Sequence, residues 1–221
     1  HVMHFMMEAK ENGVPLIVID PVYNVMASKA TKYIPINPST DGALAMAILN
    51  EIISQGKEDA DFIRNHTELP FLVKEDGSFL RAGELEGGSS LSEEDAALNV
   101  VWDEEKNEAV SVSDAVSPVY TGVASVGDMT VTTAWDVLVE RVSEWTVEKA
   151  SQVCGVSVED IQYLAEVYSG EGPVSTYSTL GADHYVNGHY NYWPMVALSC
   201  ISGNIGKTGA TAFGACATPA M

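Results

Sequence analysis

Six consecutive residues, Val14 to Ile19, carry no polar side chain, and the run stops at Asp20-Pro21. An amphipathic helix would break such a run at a period near 3.6, and a half-exposed strand would break it at every second residue. A short, unbroken, β-branched run is the signature of a strand buried on both faces, which is typical of a parallel sheet. Its surroundings support that reading. Val2 to Glu11 places Val2, Phe5, Met6 and Ala9 on one helical face, and Asn12-Gly13 ends it as a left-handed cap. Val25 to Lys32 reads as a short helix and Tyr33 to Ile36 as a second short strand. The loop Asn37 to Asp41 then feeds a helix from Gly42 to Ser54 with Asp41 as its N-cap. Asp59 to His66 gives one more helix. Helix and strand alternating over short connections mean an α/β fold.

Residues 74–130 break the pattern. They are rich in Gly, Ser and acids, with short strand-like stretches at Asn99 to Trp102 and Ala109 to Val112. They read as an excursion of loops and hairpins without a hydrophobic core. Helices resume at Thr133 to Trp145, Thr146 to Cys154 and Val158 to Tyr168, with Gly155 and Ser157 as caps. Pro173 to Ser178 is a second buried-strand candidate, and Asn191 to Ile201 an apolar helix. The Gly/Ala/Thr-rich stretch from Gly203 to Met221 has no periodicity. These shifts divide the chain into an α/β lobe over 1–73, the excursion over 74–130, and a helical pair with a returning strand and helix over 131–221.

The formal charge of the 221 residues is −20. Twelve acids between Glu75 and Asp114 face only Arg81 and Lys106, a local balance of −10. Such a chain repels a phosphate backbone, so nucleic acid is not its partner. An acidic surface of this kind serves solubility rather than docking. No apolar run is long enough to cross a bilayer, so direct membrane insertion is not expected, and no signal peptide is visible. Cys154, Cys200 and Cys216 form no CxxC pair and have no His at zinc spacing, so they read as buried small hydrophobes. Asp183-His184 lacks a nucleophile recognisable by motif, and Gly203, Gly206 and Gly209 match neither a P-loop nor a dinucleotide fingerprint.

Open α/β sheets bind ligands beyond the carboxyl ends of their strands. Asp20 and Asn24 follow the first strand, Ser39 and Asp41 the second, and Leu180, Gly181, Asp183 and His184 the late one. An Asp carboxylate at such a place accepts two hydrogen bonds, from a guanine edge or from ribose hydroxyls. The N–H groups opening the helix after Asp41 favour an anion. The structural alternatives are a turn cap for Asp20, an N-cap for Asp41 and a hydrogen-bonded structural role for His184.

Several stretches resemble the dimethyl sulfoxide reductase family of molybdopterin oxidoreductases. They are EAKENGVPLIVIDP from Glu8, ASKATKYIPINPSTDGALA from Ala27, PFLV from Pro70 with DGSFL from Asp76, and VWD from Val101. TVEKA from Thr146, CGV from Cys154 and SGNIGKTG from Ser202 continue the series in order. The resemblance implies a three-layer α/β fold with a mostly parallel sheet, as in the middle domains of dimethyl sulfoxide reductase and formate dehydrogenase. It implies that Asp20, Asn24, Ser39, Asp41, Leu180 and His184 hold a molybdopterin guanine dinucleotide carrying molybdenum, with Ser39 and Asp41 at the guanosine end. Ser39 stands where the family usually has glycine, so a different backbone turn is expected there, and Thr208 stands for a frequent proline.

The family's molybdenum-ligating residue and its 4Fe-4S cysteines precede the matching region, and its C-terminal cofactor domain follows it. The expectation is therefore an internal section of a longer catalytic subunit, inert by itself, with no metal ligand of its own. Its expected partners are the rest of that subunit and an iron-sulfur electron-transfer subunit. The parent would be exported or membrane-associated through partner subunits, and otherwise cytoplasmic. The alternative is a stand-alone, non-catalytic nucleotide-binding or scaffold module of the same fold.

Overall fold

A computed structural model describes residues 2–178, 181–182, 184–186 and 188–210. In chain order the chain begins with α1 (Val2–Glu11), β1 (Ile17–Ile19), β2 (Lys32–Ile34), α2 (Asp41–Ser54) and α3 (Ala60–His66). The middle holds β3 (Leu72–Lys74), α4 (Glu93–Ala96), β4 (Val100–Asp103), β5 (Glu108–Ser111), β6 (Pro118–Val119), β7 (Ser125–Val126), β8 (Met129–Thr133) and α5 (Ala134–Ser143). Then come α6 (Val147–Cys154), α7 (Val158–Tyr168) and α8 (Gly188–Ile201).

These elements form two compact units. The first takes the described residues up to 56, then 145–199 and those from 204 on; the second takes 57–144 with 200–203.

In the first unit, β1 and β2 pair in parallel, Ile17 opposite Lys32 and Ile19 opposite Ile34. Helix α2 packs on α6 and α7, and its inner face of Leu44, Ala47, Ile48, Leu49 and Ile52 is buried with Ile161 and Leu164. Each Leu or Ile among them contributes about 1.5–3 kcal/mol when fully buried. The local signals that set these helices are the side-chain caps. Thr146 Oγ1 accepts from the Lys149 amide and Ser157 Oγ from the Asp160 amide, at 3.2 and 3.1 Å. Gly155, at φ 73°, is the left-handed cap of α6.

The second unit is antiparallel. One three-stranded sheet runs β3-β8-β7 and the other β5-β4-β6. A mostly parallel sheet is thus not what the chain forms: among the described residues the parallel pairing is the β1-β2 pair, and the fold is mixed α/β with small sheets. The reason lies in connection length. β4 and β5 are joined by the four-residue turn 104–107, which only an antiparallel pair permits.

Residues 74–130 also carry a core, contrary to the expectation of bare loops. Leu80, Ala82 and Val100 are buried with Leu72 and Val131, and Leu85, Leu98 and Ala109 pack against them. Asp103 is fully buried there and holds the hairpin by accepting from the amides of Lys106, Val116 and Ser117. These bonds, the one from Val116 foremost, pull its carboxyl down to about 2.

Two other expectations change. The Val14 to Ile19 run is not buried on both faces: its strand is three residues long, and Ile19 is 39% exposed. Pro173 to Ser178 forms no regular strand, with Ser175 at a lone bridge position. Among the described residues, no helix is long and apolar enough to cross a membrane.

Candidate functional site

The first unit contains a cavity of about 390 Å³ beside β1. Ile17 and Ile19 of β1, Asp41 and Leu44 of α2, Tyr168 of α7 and Thr176 line it, and Met195 and Leu198 of α8 complete it. Its volume lies within the range of small-molecule sites, and its walls are mainly apolar with a few polar groups, as such sites usually are.

Asp41 brings a carboxylate to that wall. It is not the N-cap. Thr40 takes that position with no side-chain cap bond, and Asp41 is the first helical residue. Burial holds its carboxyl above the ordinary carboxylate range, and the nearby Asp20 charge pushes the same way. A half-buried carboxylate so placed is stabilised by whatever N–H groups a ligand brings to it.

Asp20 and Asn24 shape the turn after β1. Asp20 Oδ1 accepts from the Val22 amide at 2.7 Å, and Oδ2 from Asn24 Nδ2 at 2.9 Å. Asn24 Oδ1 in turn accepts from the Ala27 amide at 3.0 Å, and the Tyr33 hydroxyl donates to the Asp20 carbonyl at 2.8 Å. The turn-capping role weighed for Asp20 is therefore present. It leaves Asp20 with carboxylate lone pairs beyond those two bonds.

Ser39 has φ 67°, the left-handed conformation that glycine adopts freely. The serine thus adopts a conformation that costs glycine nothing. The loop is pinned from both sides. The Asn37 amide donates to the Cys154 carbonyl at 2.7 Å, Asn37 Nδ2 donates to the Val153 carbonyl at 3.0 Å, and Thr40 Oγ1 donates to the Asn37 carbonyl at 2.7 Å. His184 is exposed. Leu180 and Asp183 lie outside the described residues.

At the amide-rich start of α2 one N–H is already engaged. The Gly42 N–H donates to Asn191 Oδ1 at 3.1 Å, and Asp41 itself puts negative charge into that turn. The Asp41 carboxylate is an acceptor and suits a ligand's N–H groups rather than its phosphates.

Sequence reasoning missed three groups here. Asn191 is 3% exposed, and its Nδ2 donates to the Ala182 carbonyl at 2.9 Å. Asn204, also 3% exposed, accepts from the Val174 amide at 2.9 Å and so places the segment lining the cavity. The Tyr168 hydroxyl and Thr176 Oγ1 are 2.6 Å apart. The available signal was a single asparagine within an otherwise apolar helix, which by itself names no partner. In the second unit a hollow of about 400 Å³, lined by Arg64, His66 and Phe71 among others, contains none of the expected residues.

Comparison with known proteins identifies the fold that carries this cavity. The family model described as molybdopterin oxidoreductase matches residues 2–217, so the chain belongs to the molybdopterin oxidoreductase family. Among its relatives is the dimethylsulfide dehydrogenase subunit alpha of Rhodovulum sulfidophilum, 28% identical over 214 residues, which are 93% of this chain and 24% of that protein. Another is the nitrate-inducible formate dehydrogenase major subunit of Escherichia coli (strain K12), 28% identical over 92% of this chain and 19% of that protein. Acetylene hydratase from Pelobacter acetylenicus shares the fold with a TM-score of 0.60 at 19% identity, covering 94% of this chain and 20% of that one. The chain thus spans about a quarter or less of the length of these relatives.

Proposed function

We propose that this chain is a section of the catalytic subunit of a molybdopterin-dependent oxidoreductase, and that it grips the nucleotide end of a bis(molybdopterin guanine dinucleotide) cofactor. The observation that carries the reading is the half-buried Asp41 carboxylate in the wall of an apolar cavity at the β1-α2 end of the unit. A guanine base presents N1–H and a 2-amino group on one edge, and a carboxylate accepts both. Ile17, Ile19 and Leu44 supply apolar walls for a flat ring. Asp20 and Asn24 fix the neighbouring turn and keep acceptors for ribose hydroxyls. Ser39, Leu180 and His184 complete the set in this reading.

The cofactor, when bound, supplies two-electron redox chemistry between its metal and a substrate. The contribution of these residues is to bind and orient it and to keep water from the base. In this reading the metal ligand and any iron-sulfur cluster belong to other parts of the subunit. The partners are the rest of that subunit and an electron-transfer subunit, in keeping with relatives named as subunits alpha and A. The substrate class is that of the parent enzyme.

The test is Asp41→Ala in the full-length subunit, with cofactor measured as GMP liberated on acid hydrolysis per mole of folded polypeptide. The expected outcome is a fall of roughly tenfold or more, the loss of about two charge-assisted hydrogen bonds, with an unchanged circular dichroism spectrum. Normal GMP content in the variant would overturn the reading.

A further inference from the structure

We infer that Asn191 is a positioning residue for the nucleotide site, clamping the first turn of α2 to the loop before α8 through one buried side-chain amide. This rests on the proposed role of Asp41. The amide is 3% exposed and faces two backbone groups that are far apart in sequence. Its oxygen accepts from the Gly42 N–H at 3.1 Å, next to Asp41, and its nitrogen donates to the Ala182 carbonyl at 2.9 Å. The two bonds use both ends of the amide, so its orientation is fixed by the pairing itself. Elements expected to meet the cofactor from two directions are thus joined through a single group.

The packing around the clamp leaves no slack. A Cβ on Gly42 would stand 2.9 Å from the Tyr190 carbonyl oxygen and 3.0 Å from Asn191 Oδ1. The Tyr190 carbonyl is the one whose helical donor would be residue 194, and that residue is Pro194, which has no N–H to give. Helix α8 therefore presents to Gly42 a carbonyl without its i+4 amide and a side-chain oxygen, and Gly42 answers the latter with its N–H. The direction in which the Asp41 carboxylate leaves the helix is set by this contact one residue away. A displacement near 1 Å at such a place is enough to separate a carboxylate from the donors of a ligand.

The experiment uses the full-length subunit and a double-mutant cycle. Asn191→Asp keeps an acceptor for the Gly42 amide and sets an oxygen against the Ala182 carbonyl, whereas Asn191→Ala removes both bonds without adding a charge. Both are compared alone and combined with Asp41→Ala. The readouts are the rate at which GMP-yielding cofactor is lost from the purified protein and the thermal midpoint of unfolding. The expected result is a loss rate raised about tenfold in each Asn191 variant, with little further increase when Asp41 is already alanine, because the clamp acts through that carboxylate.

A role in packing alone would give the same increase in both backgrounds, in step with the drop in thermal midpoint, and would overturn the inference. So would a wild-type loss rate in Asn191→Asp while Asp41→Ala has its effect. If Asp41→Ala itself retains cofactor as the wild type does, the nucleotide-site reading fails first, and the inference falls with it.

Discussion

Ser39 carries a conformational cost that its side chain must offset. An L-residue in the left-handed region stands about 1–2 kcal/mol above its ordinary wells, and Ser39 is held at φ 67° by the pinned loop around it. Ser39→Gly removes that cost but loosens the unfolded chain. The expected net effect is a stabilisation of roughly 0.5 kcal/mol, read as a higher midpoint in urea denaturation. A lower midpoint would mean that the serine side chain contributes more than its backbone strain. That Ser39 takes the left-handed conformation was not legible, because nothing in the Pro-Ser-Thr-Asp string says how firmly Asn37 is tied to residues 153 and 154, more than a hundred positions away.

The elements divide in a similar way between local and distant causes. α2, α6 and α7 were readable because their signals, apolar spacing in all three and side-chain caps in α6 and α7, lie within a few residues. Thr146, Gly155 and Ser157 do in the structure what such residues do in isolation. The sheets were not readable, since β3 pairs with β8 across some 60 residues and no periodicity reports that pairing. Val14 to Ile19 misled for a related reason: an apolar run records that a segment avoids water, and does not specify what covers it. In this structure it is a cavity wall and a short strand. The core between Leu72, Leu80, Val100 and Val131 was hidden by the acids around it. Leu80→Ala tests that core. Leu80 is fully buried, so the substitution should cost about 2–5 kcal/mol, measured by the denaturation midpoint. A change under about 1 kcal/mol would mean that these sheets are held by hydrogen bonding and turns rather than by burial.

The charge of the entire chain has a physical consequence of its own. With 31 acids against 11 Lys and Arg, self-repulsion opposes the compact state. Added salt shortens the Debye length from about 10 Å at 0.1 M to about 3 Å at 1 M. The thermal midpoint should therefore rise by several degrees as KCl increases from 0.1 to 1 M, a gain on the order of 1 kcal/mol. A midpoint that is flat or falls over that range would show that the acids are locally compensated. Among the described residues, Lys32 pairs with Asp160 and Lys74 with Glu84.

The interleaving of the two units bears on how the protein is made. The inner face of α2, Leu44 to Ile52, finds its cover in α6 and α7, yet the intervening stretch 57–144 belongs to the other unit. A ribosome adding about 5–20 residues per second needs roughly 5–20 s to travel from the end of α2 to the end of α7. Throughout that interval an apolar helix face waits without its partners, while the residues being added can fold around their own core. The nascent chain is therefore most open to chaperone capture, or to aggregation, in the window before Tyr168 clears the exit tunnel.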